Sequence, residues 1–169
     1  LNEERIWEAE SSLLTMLGRQ DLRGLKFLDA GCGSGLFSLA ACRLGAQEVF
    51  SFDYDLDSVT CAEYLKQKFG PFPNWRINRG SVLDKDWLRD LGRYDVVYCW
   101  GVLHHTGDMW KAMENVMEPV TDNGLLFISI YNDQGIRTTI WKRIKRFYNF
   151  SPKPIRLLIG NAFFAATVP

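Results

Sequence analysis

Apolar positions along this chain fall into two alternating rhythms, and the alternation predicts a succession of helices and strands. Ile6, Leu13, Leu14 and Leu17 stand at helical spacing, which predicts a helix over residues 3–17 with Gly18 near its stop. Glu3, Glu4, Glu8 and Glu10 sit towards its start, where the helix dipole favours acids. The short apolar run Leu25–Ala30 predicts a first strand. Phe37, Ala40, Ala41 and Leu44 then recur at i, i+3, i+4 and i+7, a helix that Gly45 ends. Glu48–Asp53 reads as a second strand ending in an acid; the helix after it has Asp55 or Asp57 as its cap and Val59, Ala62, Leu65 and Phe69 on one face. Gly70 to Asn74 is a loop by its breakers.

Trp75–Gly80 predicts a third strand, followed by a short helix around Asp84–Leu91. Tyr94–Trp100 is a strong fourth strand, and Asp108–Met117 is a helix expected to turn Trp110, Met113 and Met117 inward. Pro119 and Asp122-Asn123-Gly124 predict a turn. Leu125–Tyr131 predicts a fifth strand, apolar enough to be buried on both faces. Strands alternating with helices at this spacing imply right-handed crossovers and an α/β, doubly wound, mostly parallel sheet. Ligands bind such sheets outside the carboxyl ends of the strands, so the chemistry belongs just after Ala30, Asp53, Gly80, Trp100 and Tyr131.

Two of those strand ends carry the strongest signal. Asp29-Ala30-Gly31-Cys32-Gly33-Ser34-Gly35 joins a strand to a helix through three glycines at alternate positions, which lets backbone amides approach a ligand. A dinucleotide fingerprint needs glycine where this chain has Leu36. A carboxylate beside the loop attracts an ammonium and repels phosphate, so a ligand with a positive amino-acid portion fits better than a pyrophosphate. Asp53, eighteen residues after Gly35, stands where a carboxylate accepts both ribose hydroxyls; the alternative is an acid that merely caps the next helix.

Composition narrows the class. The 169 residues are 47% apolar and 24% charged, enough for one ordinary domain with a sizeable core. No apolar run reaches the roughly 18–20 residues that span a bilayer, and no signal-peptide pattern opens the chain. The four cysteines (Cys32, Cys42, Cys61 and Cys99) are widely spaced, which favours reduced thiols in a cytoplasmic protein over a metal site or a disulfide framework. Net charge is zero but divided: residues 1–130 carry 13 basic against 19 acidic side chains, residues 131–169 carry 7 against 1.

In this order the motifs resemble class I S-adenosylmethionine-dependent methyltransferases, a family with a Rossmann-like sheet, over about Leu25–Tyr131. The stretch FLDAGCGSG is similar to the family's first motif and VFSFDYD to its second. GSVLD is similar to the segment beside the adenine, YDVVYCWGVLHHTGD to the fourth-strand motif, and DNGLLFISI to the fifth strand. The resemblance implies S-adenosylmethionine as cofactor and S-adenosylhomocysteine as product. It places Asp29, Gly31 and Gly33 around the methionyl part, Asp53 on the ribose, and Ser81 and Val82 along the adenine. Trp100 and Gly101 fall beside the methionyl group, and Cys32 and Tyr54 join the cofactor-binding set. Ser81 departs from the aspartate often found there.

For the acceptor the reading stays broader. His104 and His105, the only histidines, follow the fourth strand, and an imidazole can deprotonate a phenol or amine near neutral pH. The plainer alternative is that one packs and the other orients a loop. The (Asp/Asn)-Pro-Pro-(Tyr/Phe) motif of exocyclic-amine methyltransferases is absent, which argues against a nucleic-acid substrate. WGVLHHT resembles small-molecule methyltransferases, quinone-pathway O-methyltransferases among them, and also enzymes acting on tRNA wobble uridines. O-methylation of a small molecule is therefore favoured, with Tyr131 and Asn132 as candidate acceptor contacts. An NAD(P)-dependent oxidoreductase and a non-catalytic cofactor-binding module stand as alternatives.

The tail is a separate question. Residues 1–135 form the expected cofactor-binding core, and 136–169 a basic amphipathic helix with an apolar end. Arg137–Tyr148 sets Ile140, Trp141, Ile144, Phe147 and Tyr148 against Lys142, Arg143, Lys145 and Arg146. Three readings compete: a surface helix packed on the domain, a docking surface for an anionic or lipid-like acceptor, and RNA binding. Ile155–Pro169 reads as a buried or interfacial helix too short to span a bilayer. The family usually adds a sixth and a seventh strand. Their absence, with Leu1 in place of Met, is expected of a fragment, or of a sheet whose fifth-strand edge is covered by the tail or by a second copy in a homodimer.

Overall fold

A computed structural model describes residues 2–132, 135–153 and 155–156. The elements run α1 (Glu3–Leu17), β1 (Lys26–Ala30), α2 (Leu36–Arg43), β2 (Glu48–Asp53), α3 (Leu56–Phe69), β3 (Trp75–Arg79) and α4 (Lys85–Asp90). They continue with β4 (Tyr94–Trp100), a 3-10 turn at Leu103–His105, α5 (Met109–Val116), β5 (Val120–Ser129) and α6 (Ile136–Phe150). The five strands form one parallel sheet in the order β3-β2-β1-β4-β5. The chain winds outwards from β1 to β3, then crosses back to place β4 on the other side of β1. That reversal opens a crevice above the carboxyl ends of β1 and β4.

The sheet separates two apolar cores. On one face Ile6, Leu13, Phe27, Leu39, Val49 and Trp75 pack beneath α1, α2 and α3. On the other, Leu28, Phe50, Val97, Leu88, Leu103 and Val116 pack beneath α4 and α5. Alternate residues of β1 therefore serve opposite cores, as the pleat requires, and a strand buried on both sides reads as an unbroken apolar run. Aspartates in the loops that follow the strands start three of the helices. Asp55, Asp84 and Asp108 accept from the amides of Ser58, Trp87 and Lys111, satisfying donors that the first turn leaves open.

Three expectations are corrected. Asp122-Asn123-Gly124 does not make a turn, because β5 begins at Val120 and absorbs them through a register shift opposite Tyr94 and Val96. Pairing along β4 outweighs the local turn preference there. Nor is β5 buried on both faces: it closes the described sheet, and Leu125 is 47% exposed. In α5 the inward stripe is Met109, Ala112, Met113 and Val116, while Trp110 is 68% exposed and Met117 is also exposed. The small Ala112 lets the helix approach the sheet, and buried Asn115 fixes its rotation by donating from Nδ2 to the Val82 carbonyl at 3.0 Å.

The chain divides into two compact units, residues 1–131 and 132–169. In the second, α6 exposes Ile136, Ile140, Phe147 and Phe150. Its end is fixed by the Ser151 hydroxyl, which donates to the Phe147 carbonyl at 2.7 Å, and by the Arg156 guanidinium over the Tyr148 ring. Asp133, Gln134 and most of the predicted apolar helix, residues 157–169, lie outside the described residues. Among the described residues no helix is long and apolar enough to cross a membrane.

Candidate active site

The glycine loop is tied down by the neighbouring strand. The amides of Gly31 and Cys32 both donate to the Phe52 carbonyl, at 2.8 and 2.9 Å. Gly31 turns with φ +80°, and a Cβ there would lie 2.4 Å from Cγ2 of Val102. The position therefore needs glycine twice over, for its backbone angle and for its contact. Asp53, at the end of β2, holds the loop from the other side. Its Oδ2 accepts from the Gly33 amide at 2.9 Å and its Oδ1 from the Asp55 amide at 3.0 Å. Each carboxylate oxygen keeps a second lone-pair direction for a ligand hydroxyl.

These elements surround a cavity of about 470 Å³ at the carboxyl ends of β1 to β4. Gly31, Asp53, Tyr54, Ser81, Val82 and His105 all line it, six of the positions singled out from the sequence. The volume lies within the range of small-ligand sites. Phe52, Asp55, Gly80, Leu83, Val102 and Thr106 complete the wall. Gly80 has a legible reason: its Cβ would lie 2.1 Å from the Trp87 ring, which packs edge-on against Phe52. The Ser81 hydroxyl accepts from the Leu83 amide at 3.2 Å, and Asn115 holds Val82 from behind.

Asp29 lies beneath the loop, only 3% exposed. Its Oδ2 accepts from the Ser38 hydroxyl at 2.5 Å. Burial pushes its carboxyl up to about 7, the Ser38 hydroxyl pulls it down, and the charge of Asp53 raises it further. Cys32 is a neutral thiol: burial, with Asp29 and Asp53 nearby, holds its pKa well above the ordinary range.

On the β4 side, Trp100 stacks on Tyr98 with ring centroids 5.9 Å apart and stands half exposed outside the cavity wall. Gly101 turns with φ +75° and donates its amide to Ser129, which leaves Val102 to enter the wall. The two histidines differ. His105 is exposed and lines the cavity. His104 packs between His105 and Tyr131 with its ring tilted to both, centroids at 4.1 and 4.2 Å, and neither of its shielded ring nitrogens has a hydrogen-bond partner among the described residues. Loss of solvent, then the neighbouring imidazole, lowers its pKa below the ordinary histidine value. Tyr131 is exposed against this pair, and Asn132 opens the second unit.

A glycine loop clamped by a strand-end carboxylate, at the switch point of a parallel sheet, is a nucleoside-binding arrangement. The chain is similar to proteins built on that plan. It is 29% identical over 111 residues to a ubiquinone biosynthesis O-methyltransferase of Pelagibacter ubique, covering 66% of this chain and 44% of that one. It is 25% identical over 125 residues to a tRNA U34 carboxymethyltransferase of Campylobacter hominis, covering 72% and 41%. Among solved structures, magnesium protoporphyrin IX methyltransferase of Synechocystis with bound S-adenosylhomocysteine aligns with a TM-score of 0.64 at 22% identity, covering 84% and 62%. The chain thus spans less than half the length of these curated relatives. The profile of a family described as a methyltransferase domain matches residues 1–153. With the fold, the glycine loop and this match over most of its length, the chain belongs to the methyltransferase-domain family.

Proposed function

We propose that this domain uses S-adenosylmethionine to methylate an acceptor, a small molecule attacked through oxygen, and yields S-adenosylhomocysteine. The observation that carries the reading is Asp53, which lines the cavity while clamping the Gly33 amide. Its remaining lone pairs accept the ribose hydroxyls, and Ser81 and Val82 flank the adenine. Buried Asp29 supplies the negative charge for the amino group, and Cys32 and Gly33 shape the loop around the methionyl part. Tyr54 lies along the ribose, and Trp100 and Gly101 border the methionyl side. Bound there, the cofactor supplies a methyl group already activated on a sulfonium sulfur. The protein's task is alignment and exclusion of water.

His105 is the group placed to take the acceptor's proton, since it alone of the two histidines lines the cavity. His104 and Tyr131 pack behind it and fix its turn, and Tyr131 and Asn132 are offered as acceptor contacts. The small-molecule reading draws support from the name of the Pelagibacter relative. The tRNA enzyme among the relatives keeps a second acceptor class in view, with the basic face of α6 as its candidate surface.

Calorimetry with S-adenosylhomocysteine is expected to show micromolar binding, and NAD none. Binding of NAD alone overturns the reading. With an acceptor in hand, His105→Ala should lower turnover by about 100-fold or more. Full turnover in that variant rejects the base role.

A further inference from the structure

Asp29 is not held by Ser38 alone. The Trp75 indole Nε1 donates to the Ser51 hydroxyl at 2.7 Å, Ser51 meets the Ser38 hydroxyl at 2.7 Å, and Ser38 meets Asp29 Oδ2 at 2.5 Å. The line crosses β3, β2, α2 and β1, and the Trp75, Ser51 and Ser38 side chains are fully buried. An indole N–H can only donate, so the Ser51 hydroxyl accepts at that end of the line. Ser51 accepts from Trp75 and gives its own proton to Ser38, which gives its proton to the carboxylate. We propose that Trp75, Ser51 and Ser38 are positioning residues that hold Asp29 ionised, as counter-ion for the cationic amino-acid portion of the bound nucleoside. This rests on the cofactor reading above.

The physical case lies in what the line favours. An ionised Asp29 accepts the Ser38 proton in a charge-assisted hydrogen bond, which a neutral carboxyl accepts more weakly. With the indole N–H given to Ser51 and the Ser51 proton to Ser38, the Ser38 hydroxyl is polarised towards the carboxylate and that bond is strengthened. The line therefore opposes the effect of burial on Asp29 and keeps its titration within reach of neutrality. A ligand ammonium can then complete the ionisation. The other titratable groups facing Asp29 are Asp53 at the end of β2, Cys32 in the loop, and Tyr98 and Cys99 on β4. Burial pushes Cys99 up to about 12 and Cys32 and Tyr98 higher, so these three stay neutral through the range of interest. Asp53 is the charge that raises Asp29 in every variant and does not distinguish them.

The test is a carbon-detected NMR titration of the Asp29 carboxyl in the unliganded chain, for wild type, Ser51→Ala, Ser51→Thr and Trp75→Phe. The midpoint should rise by about one pH unit, a tenfold change in protonation, in Ser51→Ala and Trp75→Phe. Ser51→Thr, which keeps the hydroxyl, should retain the wild-type midpoint. Ser51→Ala removes a single oxygen from the core, so it keeps the test open should Trp75→Phe fail to fold. In parallel, the acid limb of S-adenosylhomocysteine affinity should move by the same interval, with all variants converging on wild type towards pH 8.5. A merely structural role would lower affinity equally at every pH. An unmoved midpoint in Ser51→Ala overturns the proposal. Absence of S-adenosylhomocysteine binding by wild type overturns the cofactor reading instead, and the carboxyl titration still decides whether the line controls Asp29.

Discussion

Asp53→Ala is expected to weaken S-adenosylhomocysteine binding by about 100-fold or more, since charge-assisted hydrogen bonds contribute roughly 1.5–3 kcal/mol each. The side chain has two tasks that fail together. It holds the Gly33 and Asp55 amides in place, and it presents the carboxylate lining the cavity where the ribose hydroxyls are proposed to bind. Alanine leaves both amides to water and releases the loop from the clamp that fixes its shape. Asp53→Asn separates the tasks, because one acceptor oxygen survives. Its expected loss is about tenfold, the size of one such bond. It should also lower the Asp29 midpoint, since the Asp53 charge is one of the forces raising it. Calorimetry reads the affinities and the carboxyl titration reads the midpoint; an Asp53→Ala affinity within threefold of wild type would rule out the ribose role.

Gly31→Ala should have the largest effect on stability, about 2–5 kcal/mol in chemical denaturation, from roughly 1–2 kcal/mol of left-handed backbone strain and 1–3 of overpacking. The strain follows from φ +80°, the overpacking from a Cβ driven to 2.4 Å from Val102. Gly33→Ala is the internal control. It shares the positive φ, at +51°, but its Cβ meets nothing within 4 Å. Only the backbone cost remains, about 1–2 kcal/mol. Equal losses at the two positions would mean that the contact with Val102 adds nothing.

The parts of this site legible in the sequence were those that depend on strand ends. A strand buried on both faces must be apolar, so Phe27-Leu28 and Val49-Phe50 announce themselves, and the acid closing each run is conspicuous. Asp29, Asp53 and the alternate glycines could be read that way, and they fall together at the carboxyl ends of the neighbouring strands β1 and β2. What could not be read depends on side chains distant along the chain. Ser38, Ser51 and Trp75 are separated by 13 and 24 residues, and their hydrogen bonds exist only once β1, β2, β3 and α2 have packed. A clue was present: Ser38 and Ser51 each interrupt a tight apolar run, and a buried hydroxyl needs a partner. The inward face of α5 matches the expectation at Met113 and departs from it at Trp110 and Met117 for a different reason. Close approach to the sheet favours Ala112, and the hydrogen bond to Val82 favours Asn115.

The contact between Gly31 and Val102 also limits how such a domain can change over generations. The glycine loop and the histidine turn meet there without clearance, so their shapes are inherited together. Trimming Val102 to alanine would remove the two methyl contacts at 2.4 and 2.6 Å but leave its Cβ at 3.1 Å and the backbone strain unrelieved. No single substitution opens a route away from glycine at this position. A lineage could reshape the histidine turn only by steps that leave the first glycine of the loop untouched.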